Sequence, residues 1–449
     1  MGTTADKLNL LIAAKDAIKR AIVAKGGTIF HTDNFRSYAD RISEITGETM
    51  IVSPLGASDV NFYNSNGAIL YSYTKEEFLA ITGMPPLPSM SRMICQGWNW
   101  TIEAAKAYVN DYGRLDIGAS YITDDGKTRL YIHIADSNRM EASLYYSQNM
   151  AEGVTIDWGD GSPLETSSKF ECSLGHTYAF KGDYVITLDV EDGCKIELGN
   201  SPYNSIMGYT SYSYGKWYPS DRVSSSMLQR VEIGKNVNRI DTGAFQFCNS
   251  LSTITIPESV TSIGSYAFQE CCSLASVVLP QGVTEIGSNA FQSCNSLSTI
   301  TIPESVTSID SYAFQDCCSL ASVIIPPRVL AVGNHAFIYA SALSTLIIPE
   351  SFTSIGDYAF ADCYSLASVV FSQGVTGIGS NAFGSCYGII LLDFQKSIAV
   401  PTLLNKNAIS EIKSRCRIVV PDPLYDEWIA ATNWSTYASQ IVKASEYNG

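Results

Sequence analysis

The chain has 449 residues, of which 46% are hydrophobic and 16% charged, and its formal net charge is −15. This length exceeds what one ordinary core can cover, and the composition is that of a folded chain, so several domains are expected. Positions 241–395 hold eleven acidic residues but only one Lys or Arg, Arg328. Such a surface repels phosphate, so we expect no nucleic-acid partner. No apolar run reaches the roughly 20 residues that membrane insertion needs.

Residues 1–50 are predicted to form a helical segment for attachment or oligomerisation. Apolar side chains recur on one side of a helix over residues 4–25 and of a second helix that ends at Gly47. The pair is too small to bury its own apolar side, so we expect it to dock on a second copy or a larger assembly. Charges scattered over the first 25 residues are not the pattern of a secretory signal. The segment resembles N-terminal segments of gut-bacterial prophage tail proteins.

Residues 51–118 are predicted to form a small α+β unit. Val60–Tyr63 and Ala68–Tyr71 flank a polar turn with glycine, which indicates a β-hairpin. Thr74 has capping-box spacing for a following helix, and Thr101 opens another.

Residues 119–199 are predicted to form a β-sandwich. Apolar and polar side chains alternate along Arg129–Ile134 and Tyr184–Leu188, as in strands with one buried face. Two motifs, VTIDWGDGS at 154–162 and HTYAFKGDYVITL at 176–188, resemble the polycystic-kidney-disease-type (PKD) domain. The resemblance implies a spacer or binding module beside another activity.

Residues 228–397 repeat with a period of 23 residues, which predicts a solenoid. Each turn carries an Ala-Phe pair, with Cys or Ala three residues after the Phe and Leu or Ile six residues after it. One turn cannot cover its own apolar side, so stacking on its neighbours is required. The repeated phenylalanines are Phe245, Phe268, Phe291, Phe314, Phe337, Phe360 and Phe383.

A single turn explains the pattern. Leu251, Ile254 and Ile256 alternate with polar residues as a short strand, which Pro257 ends because it has no N–H for a ladder. The spacing L-x-x-I-x-I-P…A-F-x-x-C, over about residues 228–394, resembles the BspA-like leucine-rich-repeat family. That resemblance implies an extracellular or surface-displayed protein that adheres to other proteins, cells or matrices.

Both ends of a solenoid need caps. A tyrosine-rich segment at 200–227 is predicted to cover the first turn, and residues 398–449 are predicted to seal the last turn with Trp428 and Trp434. The predicted architecture is therefore multi-domain and mainly β. A capped leucine-rich-repeat solenoid is preceded by a PKD-like β-sandwich, a small α+β unit and an N-terminal helical segment.

The sequence gives little support for catalysis, a cofactor or a metal. The cysteines of the repeat keep step with buried columns and are expected to act as small core residues. Cys172 and Cys194 either form a disulfide in an oxidising compartment or stay free. Asp157, Asp160 and Asp183 could hold calcium, but a turn at Asp160-Gly161 with the other two facing solvent is the simpler interpretation. We therefore predict no catalytic residue, no metal ligand and no cofactor.

Two columns of the repeat are candidate contact surfaces. The first precedes each Ala-Phe pair, and its tyrosines either touch a ligand or pack between turns. The second is a β-branched column on the strand face, which strand preference alone explains equally well. The first column consists of Tyr266, Asn289, Tyr312, His335, Tyr358 and Asn381. The second consists of Thr255, Val278, Thr301, Ile324, Ile347 and Val370.

The function predicted from the sequence is a non-enzymatic adhesin or receptor-binding protein that recognises an external protein or glycan. One form of display is a phage or prophage tail, anchored through residues 1–50. The alternative is a bacterial cell-surface adhesin of the BspA-like kind whose leader has been removed. A third class, a glycan-processing enzyme that carries these modules, would need a catalytic cluster that the sequence does not show.

Overall fold

The structure is a computed structural model. It describes residues 59–447, except 66, 136–139, 200–203, 214, 215, 220, 221 and 413. The predictions for the attachment segment at 1–50 lie outside the described residues. The described part is mainly β, as predicted, and none of its helices has the length and apolar character of a membrane span.

The α+β unit is one four-stranded sheet with two helices. The elements are β1 (Val60–Tyr63), β2 (Ile69–Tyr73), α1 (Lys75–Ala80), β3 (Met93–Trp98), α2 (Ile102–Tyr112) and β4 (Leu115–Thr123). The strand order in the sheet is β2-β1-β4-β3, with β1 antiparallel to β2 and parallel to β4. The predicted boundary at 118/119 falls inside β4, because that strand continues to Thr123 to pair with β3.

Helix caps in this unit form where the sequence predicts them. The Thr74 side chain accepts from the backbone N–H of Glu77, and the Glu77 side chain accepts in return from the N–H of Thr74, as in a capping box. Thr101 caps α2 by accepting from the backbone N–H of Ala104, and Gly113 ends that helix in the left-handed conformation. These caps fix where α2 begins and ends, which positions it against the solenoid.

The next unit has two facing antiparallel sheets, and both continue into the solenoid. The strands of this unit are β5 (Thr128–Ile134), β6 (Glu141–Gln148), β7 (Val154–Asp157), β8 (Glu165–Thr166), β9 (Glu171–Thr177), β10 (Gly182–Val190) and β11 (Ile196–Leu198). One sheet has the order β5-β10-β7-β8 and the other has the order β11-β6-β9.

The first solenoid turn pairs directly with these two sheets. Its strands, β15 (Leu228–Glu232) and β16 (Val237–Ile240), join β5 antiparallel and β11 parallel. The sheets of the two-sheet unit therefore continue into the solenoid through hydrogen-bonded strands, with no exposed strand edge at the junction.

The segment 204–227 lies beside this junction. Ile206 and Met207 are fully buried, and the N–H of Ile206 donates to the carbonyl of Ala244 at 2.6 Å. The aromatic side chains that the sequence analysis assigned to this cap lie outside the described side chains. The elements are β12 (Asn204–Ser205), β13 (Gly208–Ser213), β14 (Lys216–Pro219) and α3 (Arg222–Met227).

The solenoid has two ladders of short parallel strands on different sides of each turn, of which the sequence analysis predicted one. Paired residues are 23 positions apart, as in Ser322 with Thr345, except at the end of the second ladder, where Gly377 pairs with Thr402. The first ladder contains β17 (Thr253–Thr255), β18 (Ser276–Val278), β20 (Thr299–Thr301), β22 (Ser322–Ile324), β24 (Thr345–Ile347), β26 (Ser368–Val370) and β28 (Leu391–Asp393). The second contains β19 (Glu285–Ile286), β21 (Ser308–Ile309), β23 (Ala331–Val332), β25 (Ser354–Ile355), β27 (Gly377–Ile378) and β29 (Thr402–Leu403).

The predicted phenylalanine column forms the centre of the solenoid. All seven rings are fully buried and stack on one another, with centroid separations of 5.0–5.5 Å and interplanar angles of 1–10°. The column cysteines are buried too. In most turns the thiol also donates to the carbonyl of the Phe one turn earlier, as from Cys271 to Phe245 at 3.1 Å. The cysteines thus fill the core, and their thiols add a second hydrogen bond to carbonyls that already accept a backbone N–H, as at Phe245.

The first ladder continues into the predicted C-terminal cap through β30 (Arg417–Val420) and β31 (Ile441–Lys443). The helix α4 (Tyr425–Ala430) lies between these strands. A 3₁₀ turn at Asp422–Leu424 precedes it and another at Trp434–Tyr437 follows it, and a third, Ala444–Glu446, comes after β31.

Two tryptophans seal the last turn. Trp428 and Trp434 are fully buried, with ring centroids 4.5 Å apart, and both contact Phe394. The indole N–H of Trp434 donates to the carbonyl of Pro401 at 2.7 Å. The apolar end of the stack is thereby covered.

Candidate binding surface

The strand face of the first turns is covered by the α+β unit. β4 lies across β17, β18 and β20, and Gly118 is the point of closest approach. A Cβ at Gly118 would lie 2.4 Å from the Thr301 hydroxyl and 2.5 Å from a Val278 methyl. The β-branched column is accordingly almost inaccessible from Thr255 to Ile324 and opens only at Val370, which is 47% exposed.

Buried polar groups fix this intramolecular interface. The amide nitrogen of Asn99 donates to the carbonyl of Leu279 and to the hydroxyl of Thr301, both at 3.1 Å. Its amide oxygen accepts from the N–H of Gly118 at 2.7 Å. Asn99 is fully buried, so each of these bonds satisfies a group that water cannot reach.

The helix α2 adds a second set of contacts to the solenoid. The indole N–H of Trp100 donates to the carbonyl of Ile302 at 3.2 Å, and the Tyr108 hydroxyl donates to the carbonyl of Ile325 at 3.0 Å. Burial raises the pKa of Tyr108, so its hydroxyl stays protonated and keeps donating. Most of the second candidate column therefore packs within the chain instead of facing an external ligand.

The first candidate column lies on another side of the solenoid and keeps its side chains in register. The ring of His335 stacks between those of Tyr312 and Tyr358, with centroids 4.7 and 4.9 Å away. Tyr358 is 37% exposed, and the other members are half-buried. The structure thus shows packing between turns together with partly open ring edges.

The backbone of this column is left-handed at every member, with φ between 50° and 63°. Asn289 and Asn381 tolerate this conformation well, whereas a tyrosine there is uncommon. Desolvation lowers the pKa of His335, so its ring is neutral at neutral pH, with the carboxylate of Asp357 opposing the shift. The column is therefore a fixed, uncharged array of rings and amides.

A third set of side chains was missed by the sequence analysis. Tyr339, Tyr364 and Tyr387 are 42%, 46% and 47% exposed, and the last two stack with centroids 5.9 Å apart. The Tyr364 hydroxyl donates to Asp362 at 3.0 Å, and the Tyr387 hydroxyl donates to Glu411 at 2.7 Å. The sequence does carry a signal for the last two tyrosines. The residue that follows the repeated cysteine of each turn is a tyrosine only at 364 and 387.

The acidic residues of the two-sheet unit have local partners. Asp160 pairs with His176 at 2.7 Å, and this hydrogen bond is the main reason why the pKa of Asp160 falls to about 2. Asp183 is exposed and pairs with His133 at 2.6 Å, while Asp157 accepts from the N–H of Gly159 at 2.8 Å. Within the described ranges, no group of three or more His, Cys, Asp or Glu is placed to hold a metal ion.

Cys172 and Cys194 are both buried, and no disulfide joins them in this structure. Both lie in the core of the two-sheet unit, where Gly153 packs closely against Cys194. They act here as small apolar residues.

The comparisons with known proteins concern the repeat. Two overlapping stretches, 223–344 and 330–421, match the family described as BspA type leucine rich repeat region, in six copies. Residues 223–421 are therefore similar to BspA-type leucine-rich-repeat regions. This assignment agrees with the 23-residue register and with the buried Phe and Cys columns. The chain matches no curated protein at a significant level.

Solved structures similar to this chain include bacterial leucine-rich-repeat proteins. The T. pallidum leucine rich repeat protein is 24% identical over 49% of this chain and 91% of its own, with a TM-score of 0.33. A leucine rich cell surface protein from Faecalibacterium prausnitzii A2-165 is 22% identical over 52% and 86%, with a TM-score of 0.25. The pneumococcal vaccine antigen PcpA is 15% identical over 48% and 68%, with a TM-score of 0.28.

Proposed function

We propose that this chain is a non-enzymatic adhesin or receptor-binding protein that recognises an external protein or glycan through the open side of its solenoid. The observation that carries the proposal is the row of side chains before each Ala-Phe pair. It repeats every 23 residues, holds its rings in stacked geometry and keeps their edges at the surface. Solenoids use such extended, regular surfaces to bind partners.

The remaining architecture supports a binding role. The strand face is occupied by the α+β unit, and the two-sheet unit continues into the first turn, so the described units form one continuous body. An external partner would therefore bind the solenoid surfaces that no other unit covers. The BspA-type repeat also supports this role, because leucine-rich-repeat surface proteins bind external proteins.

For the display of this surface we propose a phage or prophage tail, with residues 1–50 as the attachment or oligomerisation segment. Support comes from the two amphipathic helical patterns in that segment. Display on a bacterial cell surface is the alternative, and the repeat family favours it. Tail genes beside this gene would select the first form, and a leader or wall-anchor motif in the full gene would select the second.

The test is binding of the full chain to an array of matrix proteins and glycans, with glycan hydrolysis measured in parallel. The proposal expects saturable binding without release of sugar. Hydrolysis of any arrayed glycan would instead favour the glycan-processing enzyme, and absence of binding to every arrayed protein and glycan would count against the adhesive role.

Replacing Tyr266, Tyr312 and Tyr358 together by alanine is expected to weaken binding to an array hit by at least about tenfold, since buried contact tyrosines commonly contribute more than about 1 kcal/mol each. The triple phenylalanine variant keeps the ring stack and serves as the control for lost hydroxyls. Thermal melts of both variants should remain cooperative. Unchanged affinity in the alanine variant would remove the row from the contact surface.

A further inference from the structure

We propose that Tyr339, Tyr364 and Tyr387, together with the carboxylates of Asp362 and Glu411, bind Arg or Lys side chains of a basic segment in an external protein. This inference rests on the proposed binding role and names the partner chemistry of one surface. We call these five residues the tyrosine–carboxylate surface.

The tyrosine rings are large, open and mutually ordered. Tyr364 and Tyr387 stack with an interplanar angle of 12°, and close to half of each side chain is accessible. Apolar rings of this size normally gain stability by burial, so three of them left exposed on one solenoid mark a contact surface. Cationic side chains, guanidinium above all, bind over the face of such rings.

The carboxylates accept hydrogen bonds from the ring hydroxyls. Glu411 accepts from the hydroxyls of Tyr387 and Ser385 at 2.7 and 3.0 Å, and these two hydrogen bonds lower its pKa. The pKa of Tyr364 is raised, first by its hydrogen bond to Asp362 and further by burial, by the Asp362 charge and by the neighbouring Tyr387 and Tyr339. The surface therefore presents the protonated phenols of Tyr364 and Tyr387 and the anionic carboxylate of Glu411 at neutral pH.

Positive charge is what this surface lacks. Among the described residues, neither Asp362 nor Glu411 takes part in an ion pair with Lys, Arg or His. Arg328, the one Lys or Arg between 241 and 395, lies beside Glu304 in a different cleft. Lys406, Arg415 and Arg417, which the structure describes, flank Glu411 in the sequence but form no ion pair with it. A neutral glycan could stack on the rings but would leave both carboxylates without a counter-charge. A basic peptide satisfies the rings and the carboxylates together.

The test uses the full chain and a tetra-arginine peptide as the probe, with binding measured by calorimetry at low salt. The Tyr364→Ala/Tyr387→Ala variant should bind the peptide about tenfold more weakly, because exposed cation–π contacts contribute about 0.5–1 kcal/mol each. Asp362→Asn/Glu411→Gln should lose affinity to a similar degree. Glu285→Gln is the matched control: it removes one exposed charge from the second ladder and should leave affinity unchanged.

Three results would overturn the inference. These are unchanged peptide affinity in the tyrosine variant, an equal loss in Glu285→Gln, or binding of maltose instead of the peptide through the same tyrosines. A cooperative thermal melt of each variant would exclude unfolding as the cause of an affinity change.

The array experiment separates this inference from the proposed function. If the tyrosine variant binds the array as strongly as the unsubstituted chain, the adhesive role is supported and the tyrosine–carboxylate surface is not part of it. If the chain binds the peptide but no arrayed protein or glycan, the inferred surface is supported and the adhesive role is not.

Discussion

Phe314→Ala is expected to lower the free energy of unfolding by about 3–5 kcal/mol. The ring is fully buried and lies between those of Phe291 and Phe337, with centroids 5.3 and 5.0 Å away. Removing it leaves a cavity in the middle of a stack whose neighbours cannot close in, because each is fixed by its own turn. Urea denaturation followed by far-UV circular dichroism measures the change.

Phe180→Ala is the matched control for that substitution. Its side chain is 76% exposed, so the same chemical change should alter stability by no more than about 0.5 kcal/mol. Equal effects at 314 and 180 would mean that the phenylalanine column does not form the core.

Gly118→Ala is expected to weaken the docking of the α+β unit on the solenoid by about 1–3 kcal/mol. The new methyl group would lie 2.4 Å from the Thr301 hydroxyl and 2.5 Å from a Val278 methyl, and both belong to well-packed strands. Hydrogen–deuterium exchange should rise in β18 and β20, where the unit covers them, before the solenoid unfolds as a whole.

Gly83→Ala is the control for this second substitution. It lies in the same unit, and a Cβ there meets nothing within 4 Å. Its exchange pattern should match that of the unsubstituted chain. If Gly118→Ala also left exchange in β18 and β20 unchanged, the unit would not be packed on the strand face.

The solenoid could be predicted from the sequence because repetition displays its packing many times. Phe, Cys and Leu recur in fixed columns, and the structure buries those columns together. The hairpin, the helix caps at Thr74 and Thr101 and the tryptophans of the C-terminal end also follow local rules, and the structure confirms them.

Contacts between units could not be predicted in the same way. Asn99 lies 180 and 202 positions before its partners Leu279 and Thr301, and no local pattern links them. The β-branched column therefore looked like a free strand face, although the α+β unit covers it from Thr255 to Ile324. The boundary at 118/119 was placed too early for a related reason, since β4 continues to Thr123 to complete its pairing with β3.

The candidate surface was predicted only in part. The spacing of Tyr266, Tyr312 and Tyr358 placed them on one side of the solenoid, but it did not reveal their left-handed backbone or the ring of His335 between two of them. The stacked pair of Tyr364 and Tyr387 was missed because it breaks the repeat instead of following it. Positions that depart from a repeat are thus as informative about its surface as the repeated positions.

Deletion of whole and partial turns tests most directly that the 23-residue unit is the structural module. Removing residues 366–388 takes out one full period, so Ser365 would join Ile389 with every later column still in register. We predict a cooperative thermal melt and native-like circular dichroism for this variant. Removing only 366–377, about half a turn, shifts Ile378 into the place of a Leu-column residue and should abolish cooperative folding. If the half-turn deletion were as stable as the full-turn deletion, the solenoid described above would be contradicted.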